Sequence, residues 1–368
     1  MQNIHFLTTR QTRRAQAFAY PMHVFAKQLR RAGLNIHFFY DVDDTRLLQC
    51  DVLGVINDFF GIKHLLQHAD DVVALLENWH QQVGKLVWCD LTDGTGTLFE
   101  PAARVVDIYL KKQLLVDRQL YRQTYHEREY YLDYYYKHHR NRLEGHGEIA
   151  QIVNQTGLDE ESIARLTLGW NIGLGDYNTL LMGRGRKLHT YWWPMPRFKS
   201  ITRPASAPRP IDLSLRAGTT YQFAAPSFHR REAKRLVAEI AQQQPGYTIQ
   251  YEGKLPLSAY MQEIANSRIA PSPFGLGEIC WRDFEIMLGG SLLFKPDMDH
   301  LETWPDFFEK DVTYVAHNWD FSDFQTKTLD LLQNPARCQQ IAQAAQTRYQ
   351  ASLSGPAFIE HFQGIFAQ

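Results

Sequence analysis

The sequence has few cysteines and no long apolar run. No stretch approaches the ~18 consecutive apolar residues of a membrane-spanning helix, and the apolar run at the amino terminus is too short for a signal peptide. Cysteines stand only at Cys50, Cys89, Cys280 and Cys338, without a CxxC pair or a neighbouring histidine at metal-ligand spacing. We therefore expect a cytoplasmic protein with reduced thiols, and neither a disulfide framework nor a zinc site.

The sequence also lacks a charge excess and a dinucleotide-binding motif. Lysine and arginine number 39 and aspartate and glutamate 40, which gives a formal net charge of −1. A dedicated nucleic-acid binder usually carries a clear basic excess, so no nucleic-acid partner is expected. The glycine pattern GxGxxG does not occur between the first predicted strand and helix, which argues against NAD or FAD.

The length and the order of elements predict two α/β domains. The chain has 368 residues, of which 44% are hydrophobic, whereas single cores stop growing at about 250–300 residues. Strand and helix patterns alternate in both halves, which is typical of parallel sheets. A proline-rich segment at 191–210 reads as the linker between domains at 1–190 and 211–350, and 351–368 contains a final helix.

The stretch 267–305 is the most informative part of the chain. Its pattern predicts a strand end, a loop containing Gly275 and Gly277, a helix over 278–288 and a buried strand over 291–295. Glycines before a helix let the backbone approach a ligand, and the first-turn N–H groups lack intrahelical partners, so an anion can bind there. The stretch is a candidate diphosphate site.

Arg282 and Glu285 lie three residues apart in this predicted helix and therefore share one face. A guanidinium can grip phosphate oxygens as a fork, and a carboxylate one turn later can accept both hydroxyls of a ribose. The alternative is an exposed ion pair on an ordinary helix, which would contribute only ~0.3–0.5 kcal/mol. The spacing alone leaves both interpretations open.

The same stretch resembles the donor-binding motif of GT-B glycosyltransferases, most of all the exostosin-like and group-1 pattern. The matching parts are the Pro/Gly loop at 271–275, the Arg282-x-x-Glu285 helix, the small residues at 289–291 and the hydrophobic strand at 292–296. The resemblance implies a GT-B fold, with two Rossmann-like domains whose parallel sheets face a central cleft. It also implies that the final helix crosses back onto the first domain.

The resemblance further implies a glycosyltransferase of the hexosyltransferase type. Its donor would be a UDP- or GDP-sugar, its acceptor a saccharide or glycolipid, and its context bacterial surface polysaccharide synthesis, with no metal or other cofactor required. Glu285 takes the ribose-binding role, and Arg216 follows the first strand of the donor domain, where a basic residue often contacts phosphate. Many retaining members carry a second glutamate where this chain has Gly277, next to Glu278. The predicted donor-binding residues are Arg216, Ser272, Gly275, Gly277, Glu278, Arg282 and Glu285.

Three aspartates are candidates for the catalytic base. Asp90 and Asp93 belong to a glycine loop at the carboxyl end of a buried strand, where ligands bind in open α/β sheets. Asp44 follows the second strand beside Asp43. A carboxylate at such a position can take a proton from a sugar hydroxyl. The alternatives are an Asp-Gly turn for the first pair, and a metal site or a solvated strand end with capping carboxylates for Asp44.

Three further segments have predicted roles. The tyrosine-rich segment 121–142 either stacks on saccharide, lies against anionic headgroups at the inner membrane, or covers the sheet. The loop 297–305, with His300 and Glu302, resembles the loop that closes over the donor sugar. The glycine-rich loop 166–177 is a candidate hinge facing the cleft.

Two other functions are compatible with the same donor site. A GT-B-fold sugar-nucleotide epimerase would bind the donor in the same way but change it without an acceptor. A non-catalytic binding protein would hold the nucleotide sugar without any reaction. The sequence leaves these alternatives open beside glycosyl transfer.

Overall fold

The computed structural model describes residues 1–126, 129–147, 157–174 and 202–366, in which two parallel sheets form separate cores. In chain order, the strands of the first half are β1 (Gln2–Leu7), β2 (Leu34–Phe39), β3 (Val52–Ile56), β4 (Lys85–Asp90), β5 (Ile108–Lys111), β6 (Gln113–Leu115) and β7 (Leu166–Leu168). Those of the second half are β8 (Ile211–Ser214), β9 (Ile249–Gln250), β10 (Ser267–Pro271), β11 (Leu292–Pro296), β12 (Leu301–Thr303) and β13 (Val315–His317).

Helices connect most of these strands. Those of the first half are α1 (Arg13–Val24), α2 (Ala26–Arg31), α3 (Ile62–Gln67), α4 (Ala69–His80), α5 (Glu100–Ala103), α6 (Tyr130–His138) and α7 (Glu160–Ala164). Those of the second half are α8 (Ala224–Gln243), α9 (Leu257–Asn266), α10 (Trp281–Gly289), α11 (Phe324–Gln333), α12 (Pro335–Ser352) and α13 (Gly355–Phe366). Among the described residues, no helix combines the length and apolar character that crossing a bilayer requires.

The strand order places a ligand-binding edge on each sheet. The first sheet runs β2-β1-β3-β4-β5-β7 and the second β13-β11-β10-β8-β9, and all neighbouring strands in both are parallel. The order reverses between β1 and β3 in the first sheet and between β8 and β10 in the second. Ligands bind outside the carboxyl ends of the strands at such reversals. The predicted α/β class with two parallel sheets is confirmed.

The strands are apolar along their length because helices cover both faces of each sheet. All five residues of β3 are buried, and so are all five of β11, although β11 includes Lys295. A lysine is almost never fully buried unless it is paired. Lys295 therefore marks a buried interaction close to the predicted donor motif.

The last helix packs against the first domain. Phe358, Phe362 and Phe366 of α13 join the core around β1, and the ring of Phe366 lies 5.6 Å from that of Phe6. The side-chain amide of Gln2 also donates a hydrogen bond of 3.0 Å to the Phe366 carbonyl. The chain thus returns to its first core after it has formed the second.

The tyrosine-rich helix α6 joins the two domains. Tyr131 and Tyr135 are fully buried, and their hydroxyls donate hydrogen bonds to the backbone carbonyls of Gly275 and Trp319 in the second domain. These rings are therefore not available to stack on saccharide or to lie against a membrane. They do cover protein, as one alternative for 121–142 proposed, but the surface they cover belongs to the other domain.

One loop prediction needs revision, and a second is described only in part. Within 166–177, Leu166–Leu168 is the edge strand β7 and Ile172–Leu174 is a 3₁₀ turn, so this part is not a flexible glycine loop; 175–177 lie outside the described residues. Of the predicted linker at 191–210, the described part, 202–210, contains neither helix nor strand. β12 pairs in antiparallel fashion with β6, which makes a second connection between the domains.

Candidate functional site

A cavity of about 440 Å³ lies between the domains, at the carboxyl ends of both sheets. Its volume falls in the range of ~300–1,000 Å³ that is typical of small-molecule sites. The first domain contributes Arg14, from the start of α1, and Asp93, from the loop after β4. The second domain contributes Tyr221, Arg230, Tyr260, Gly275, Gly277, Arg282 and Glu285.

The helix on the cavity wall, α10, begins at Trp281, three residues later than predicted. Cys280 is its N-cap and has an extended backbone, with φ −116° and ψ 151°. The Asp283 carboxylate accepts the Cys280 N–H at 2.9 Å, which satisfies one of the free donors at the helix start. The helix ends at Gly290, whose φ of +70° favours glycine.

A buried ion pair supports this helix start from below. Lys295 Nζ lies 3.1 Å from Asp283 Oδ2, both side chains are fully buried, and the ammonium also donates to the Glu278 carbonyl at 2.6 Å. Ser272 donates its hydroxyl to Asp283. Ser272, a predicted donor-binding residue, therefore lies beneath the cavity and supports the loop instead of facing a ligand.

Arg282 and Glu285 both line the cavity, so they are not an exposed pair on an ordinary helix. Arg282 Nη2 donates to the Arg216 carbonyl at 2.8 Å, whereas its buried Nε and Nη1 have no hydrogen-bond partner among the described residues. The Tyr260 hydroxyl donates to Glu285 Oε2 at 3.0 Å. Burial raises the pKa of Glu285, and the attraction of Arg282 offsets only part of that rise.

The structure does not bring the Arg216 side chain into the cavity. Its guanidinium forms two hydrogen bonds of 2.8 Å with Glu263, and only its backbone carbonyl contacts Arg282. Arg230 of α8 lines the cavity instead. Its Nε donates to the Phe274 carbonyl at 2.7 Å, and its guanidinium lies over the Tyr221 ring at 5.0 Å.

The two glycines of the predicted donor-binding loop lie in close contact with protein atoms, whereas the sequence predicted their approach to a ligand. A methyl group on Gly277 would overlap the Asp93 carbonyl of the first domain, and one on Gly275 would lie 2.6 Å from Arg230 Nη2. Glu278 is fully buried, and its Oε2 accepts the Thr95 N–H at 3.1 Å. Glu278 thus points to the domain boundary and not into the cavity.

Of the three candidate bases, Asp93 alone lines the cavity. Its side chain is 37% exposed, 3.2 Å from Lys112 Nζ and 3.9 Å from Arg14 Nη1. Gln113 holds the Asp93 carbonyl at 2.7 Å. Burial alone would raise the pKa of Asp93, but the Lys112 and Arg14 charges outweigh it and lower that pKa below its ordinary value.

Asp90 is enclosed by the first domain. Its carboxylate accepts hydrogen bonds from the Tyr109 hydroxyl at 2.7 Å and the Thr92 hydroxyl at 2.6 Å, and Lys111 Nζ lies 3.5 Å away. Burial would raise its pKa, but the Lys111 charge and these hydrogen bonds lower it. With its oxygens occupied and fully buried, Asp90 holds the loop and cannot reach a substrate.

Asp44 lies away from the cavity, after the edge strand β2. Its carboxylate forms a two-point ion pair with Arg46, at 2.7 and 3.0 Å. Hydrogen bonds from the Arg46 side chain and backbone lower its pKa to about 2. In the described part of the chain, no group of three acidic, histidine or cysteine side chains could hold a metal ion. Asp44 is a paired residue after an edge strand, not a base facing the cleft.

The loop around His300 sits at the domain boundary. His300 Nε2 is 3.5 Å from Glu278 Oε1, and its ring stacks on Tyr130 at 5.7 Å. Glu302 pairs with Arg118 of the first domain. Neither side chain lines the cavity, so the described contacts do not place them over a donor sugar.

Several residues at the site escaped prediction. Arg14 pairs with Asp58 at 2.9 Å and lies 3.9 Å from Asp93, Lys112 pairs with Asp93, and Tyr260 holds Glu285. Arg14 lies in the first turn of α1, where a basic side chain is unfavourable unless an anion is near, and the sequence shows this position. For Lys112 and Tyr260 the sequence contained no such signal, because their roles depend on partners that are distant in the chain.

Each of the two parallel sheets reverses its strand order once, and both reversals lie at the same interdomain cavity. Two α/β domains in this arrangement form a GT-B fold. The chain has a GT-B fold. No protein-family model and no curated protein sequence matches it. The GT-B assignment rests on the strand order and on the position of the cavity.

Solved structures give distant similarities. The Anabaena protein HepE in complex with UDP has a TM-score of 0.49 and 8% identity, with 100% of both chains covered. An alpha-glucosyltransferase bound to UDP and a 13-mer DNA has a TM-score of 0.43 and 10% identity, again with 100% of both chains covered. A glycosyltransferase from Rickettsia africae has a TM-score of 0.43 and 7% identity, covering 99% of this chain and 97% of that one.

Proposed function

We propose that this GT-B protein is a glycosyltransferase that takes its sugar from a nucleoside-diphosphate sugar. The observation that carries the proposal is the pair Arg282 and Glu285, one turn apart on α10 and both on the wall of the interdomain cavity. A phosphate-binding cation and a ribose-binding carboxylate at this spacing suit a nucleoside diphosphate lying along the helix start.

The cationic end of the cavity would hold the diphosphate. Among the residues that the structure describes, Nε and Nη1 of Arg282 are buried without a hydrogen-bond partner, and a phosphate oxygen would satisfy them. Arg230 faces the same space beside the backbone of Gly275. When the sugar leaves, negative charge develops on the diphosphate, and donors that are already in place stabilise it without reorganisation.

Glu285 would select the ribose. One carboxylate oxygen, Oε2, accepts a hydrogen bond from Tyr260, and in the described part of the chain no hydrogen bond is made to the other oxygen, Oε1, which can accept ribose hydroxyls. Because burial already raises the pKa of Glu285, hydrogen bonds from a bound ribose would favour its charged form. A ligand with hydroxyl donors would therefore stabilise the charged form of Glu285 most.

The acceptor would enter from the first domain, where Asp93 lies on the opposite wall. A saccharide or glycolipid hydroxyl that donates to this carboxylate would be placed for attack on the donor sugar. The resemblance of the donor motif supports a hexose donor linked to UDP or GDP and a place in bacterial surface polysaccharide synthesis. The same resemblance supports a cytoplasmic site of action, next to the inner membrane where a glycolipid acceptor would lie.

A thermal-shift panel of UDP, GDP, ADP, CMP and dTDP tests donor binding. A ligand present at 100 times its dissociation constant should stabilise the fold by about 2.7 kcal/mol, so the correct nucleotide should stand out. Glu285→Gln should lose most of that stabilisation, because an amide binds two hydroxyls less well than a carboxylate. Glu161→Gln is the matched control, because this side chain on α7 is 79% exposed, and it should respond as the wild type does.

The outcomes separate the alternatives. If no nucleotide stabilises the wild type, or if Glu285→Gln keeps the full effect, the proposed donor site is wrong. If the donor sugar is changed with no acceptor present, the protein is an epimerase. Donor binding without hydrolysis or transfer to any saccharide acceptor would indicate a binding protein.

A further inference from the structure

Two buried carboxyl groups, one from each domain, lie close enough to interact electrostatically. Glu129 precedes α6 in the first domain and is 7% exposed, and Glu278 precedes α10 in the second and is fully buried. Glu278 is the charged neighbour that most disfavours the ionised form of Glu129. Neither residue lines the cavity, and the proposed transfer reaction uses neither.

Both carboxyl groups hold the same loop of the first domain, residues 93–97. Glu278 accepts the Thr95 N–H at 3.1 Å, and Glu129 Oε1 accepts the Thr97 hydroxyl. Glu129 Oε2 has no hydrogen-bond partner among the described residues. Glu129 also fills the space beside Gly94, because a methyl group there would overlap its carboxyl group.

This loop carries Asp93, the carboxylate that faces the donor site. The Asp93 carbonyl packs directly on Gly277, in the loop that contains Gly275 and Gly277 and is called the donor loop below. If one of the two loops moves, either the other loop moves with it or this contact breaks. The hydrogen bond from Thr95 to Glu278, the residue after Gly277, is the polar link between them. The position of the loop therefore sets the distance from Asp93 to Arg282 across the cavity.

We propose that Glu129 and Glu278 are positioning residues that lock the Asp93 loop against the donor loop, and that the strength of this lock depends on pH. The lock exists whether or not a donor binds, and only its consequence for transfer rests on the proposed function. If one of two neighbouring buried carboxyl groups is protonated, the repulsion between two like charges is avoided.

The surrounding charges favour a protonated Glu129 and an ionised Glu278. Glu129 faces Glu278 and Asp93, which disfavour its ionisation, and Lys111, which favours it; the Tyr131 hydroxyl is also near. Burial, followed by Glu278, raises the pKa of Glu129 well above its ordinary range. Burial alone would also raise the pKa of Glu278, but hydrogen bonds from His300 and Thr95 lower it.

The sign of the pH dependence follows from the raised pKa of Glu129. A carboxyl group whose pKa is raised in the closed form favours that form at acidic pH, and loses this contribution as the pH rises through the raised value. The lock should therefore weaken as the pH rises from the ordinary range of a carboxyl group through the raised pKa of Glu129. Glu129→Gln keeps the shape and carries no charge, so it should stay closed at every pH.

Hydrogen exchange at the Thr95 amide tests the lock in the protein without nucleotide. Wild type and Glu129→Gln are compared at the same pH, so that the intrinsic chemistry of exchange cancels in the ratio of their rates. The ratio of the wild-type rate to the Glu129→Gln rate should be near unity at a pH where an ordinary carboxyl group is protonated. It should rise by up to about tenfold per pH unit as the pH increases toward the raised pKa of Glu129. Glu161→Gln, which changes an exposed side chain of α7, should follow the wild type throughout. A ratio that does not change with pH would overturn the proposal.

Two further measurements complete the test. If Glu129→Gln does not fold, Thr97→Val removes the hydroxyl that Glu129 accepts and should speed exchange at Thr95 relative to the wild type; unchanged exchange would count against the lock. If transfer activity is found, its decline with rising pH should disappear in Glu129→Gln while donor affinity stays constant. Failure of nucleotide binding would contradict the proposed function and leave the exchange result intact.

Discussion

Replacing Asp93 with asparagine should lower the rate of sugar transfer by about 10²-fold, while donor binding stays within a factor of two or so of the wild type. General bases typically contribute 10²–10⁴-fold. We expect the lower end because Lys112 and Arg14 lower the pKa of Asp93 and make it a weaker base. Donor affinity should hold because the residues proposed to bind the donor belong to the second domain.

The pH profile and a matched control sharpen this prediction. Because the pKa of Asp93 lies below its ordinary value, the carboxylate stays ionised as the pH falls, and its loss should appear only at more acidic pH than for an ordinary aspartate. Asp44→Asn removes a carboxylate far from the cavity and should leave turnover unchanged. Full activity in Asp93→Asn, with weak activity in Asp44→Asn, would mean that Asp44 and not Asp93 is the catalytic base.

Replacing Lys295 with methionine should destabilise the protein by about 3–5 kcal/mol, because it leaves the Asp283 carboxylate buried without its cation. Both side chains are fully buried, and Lys295 also donates to the Glu278 carbonyl. The free energy of unfolding in urea measures the effect. Donor binding should weaken as well, since Asp283 caps the start of α10.

Lys310→Met is the control for this substitution. Lys310 also pairs with acidic side chains, Asp297 and Asp299, but it is 35% exposed. An exposed ion pair contributes about 0–1 kcal/mol, so this variant should unfold nearly as the wild type does. Equal losses in the two variants would show that burial does not distinguish the pairs.

The region around α10 could be predicted because its signals are local. The apolar strand over 292–296, the glycine loop and the periodic helix lie within one short segment, and each element formed near its expected position. The buried ion pair of Lys295 and Asp283 also had a local signal in the sequence, because Lys295 interrupts an otherwise apolar strand. The helix start shifted because the capping interaction at Cys280 depends on the Asp283 carboxylate and not on periodicity.

The placement of individual side chains could not be predicted, because it depends on distant partners. Arg216 and Glu263 are 47 residues apart, and their pairing withdraws Arg216 from the cavity. Asp90 and Asp93 looked equivalent in the loop, but Tyr109 and Lys111 on the neighbouring strand enclose only Asp90.

For the tyrosine-rich helix α6, too, the sequence could not indicate the partner surface, because that surface belongs to the other domain. Its periodicity could indicate a covering role, but it could not indicate which surface is covered. Tyr131 and Tyr135 bond to backbone of the second domain, at Gly275 and Trp319. The buried position of Glu129 depends on the same docking, and no local pattern marks it.

The central claim is that the cavity at the start of α10 binds a nucleoside diphosphate. A crystal structure with the nucleotide that the panel identifies, at a concentration near its dissociation constant, tests this most directly. We expect phosphate oxygens about 2.7–2.9 Å from the Arg282 guanidinium and the ribose hydroxyls on Glu285. A nucleotide bound elsewhere, such as the smaller cavity beside Arg209 and Arg268, would contradict the account.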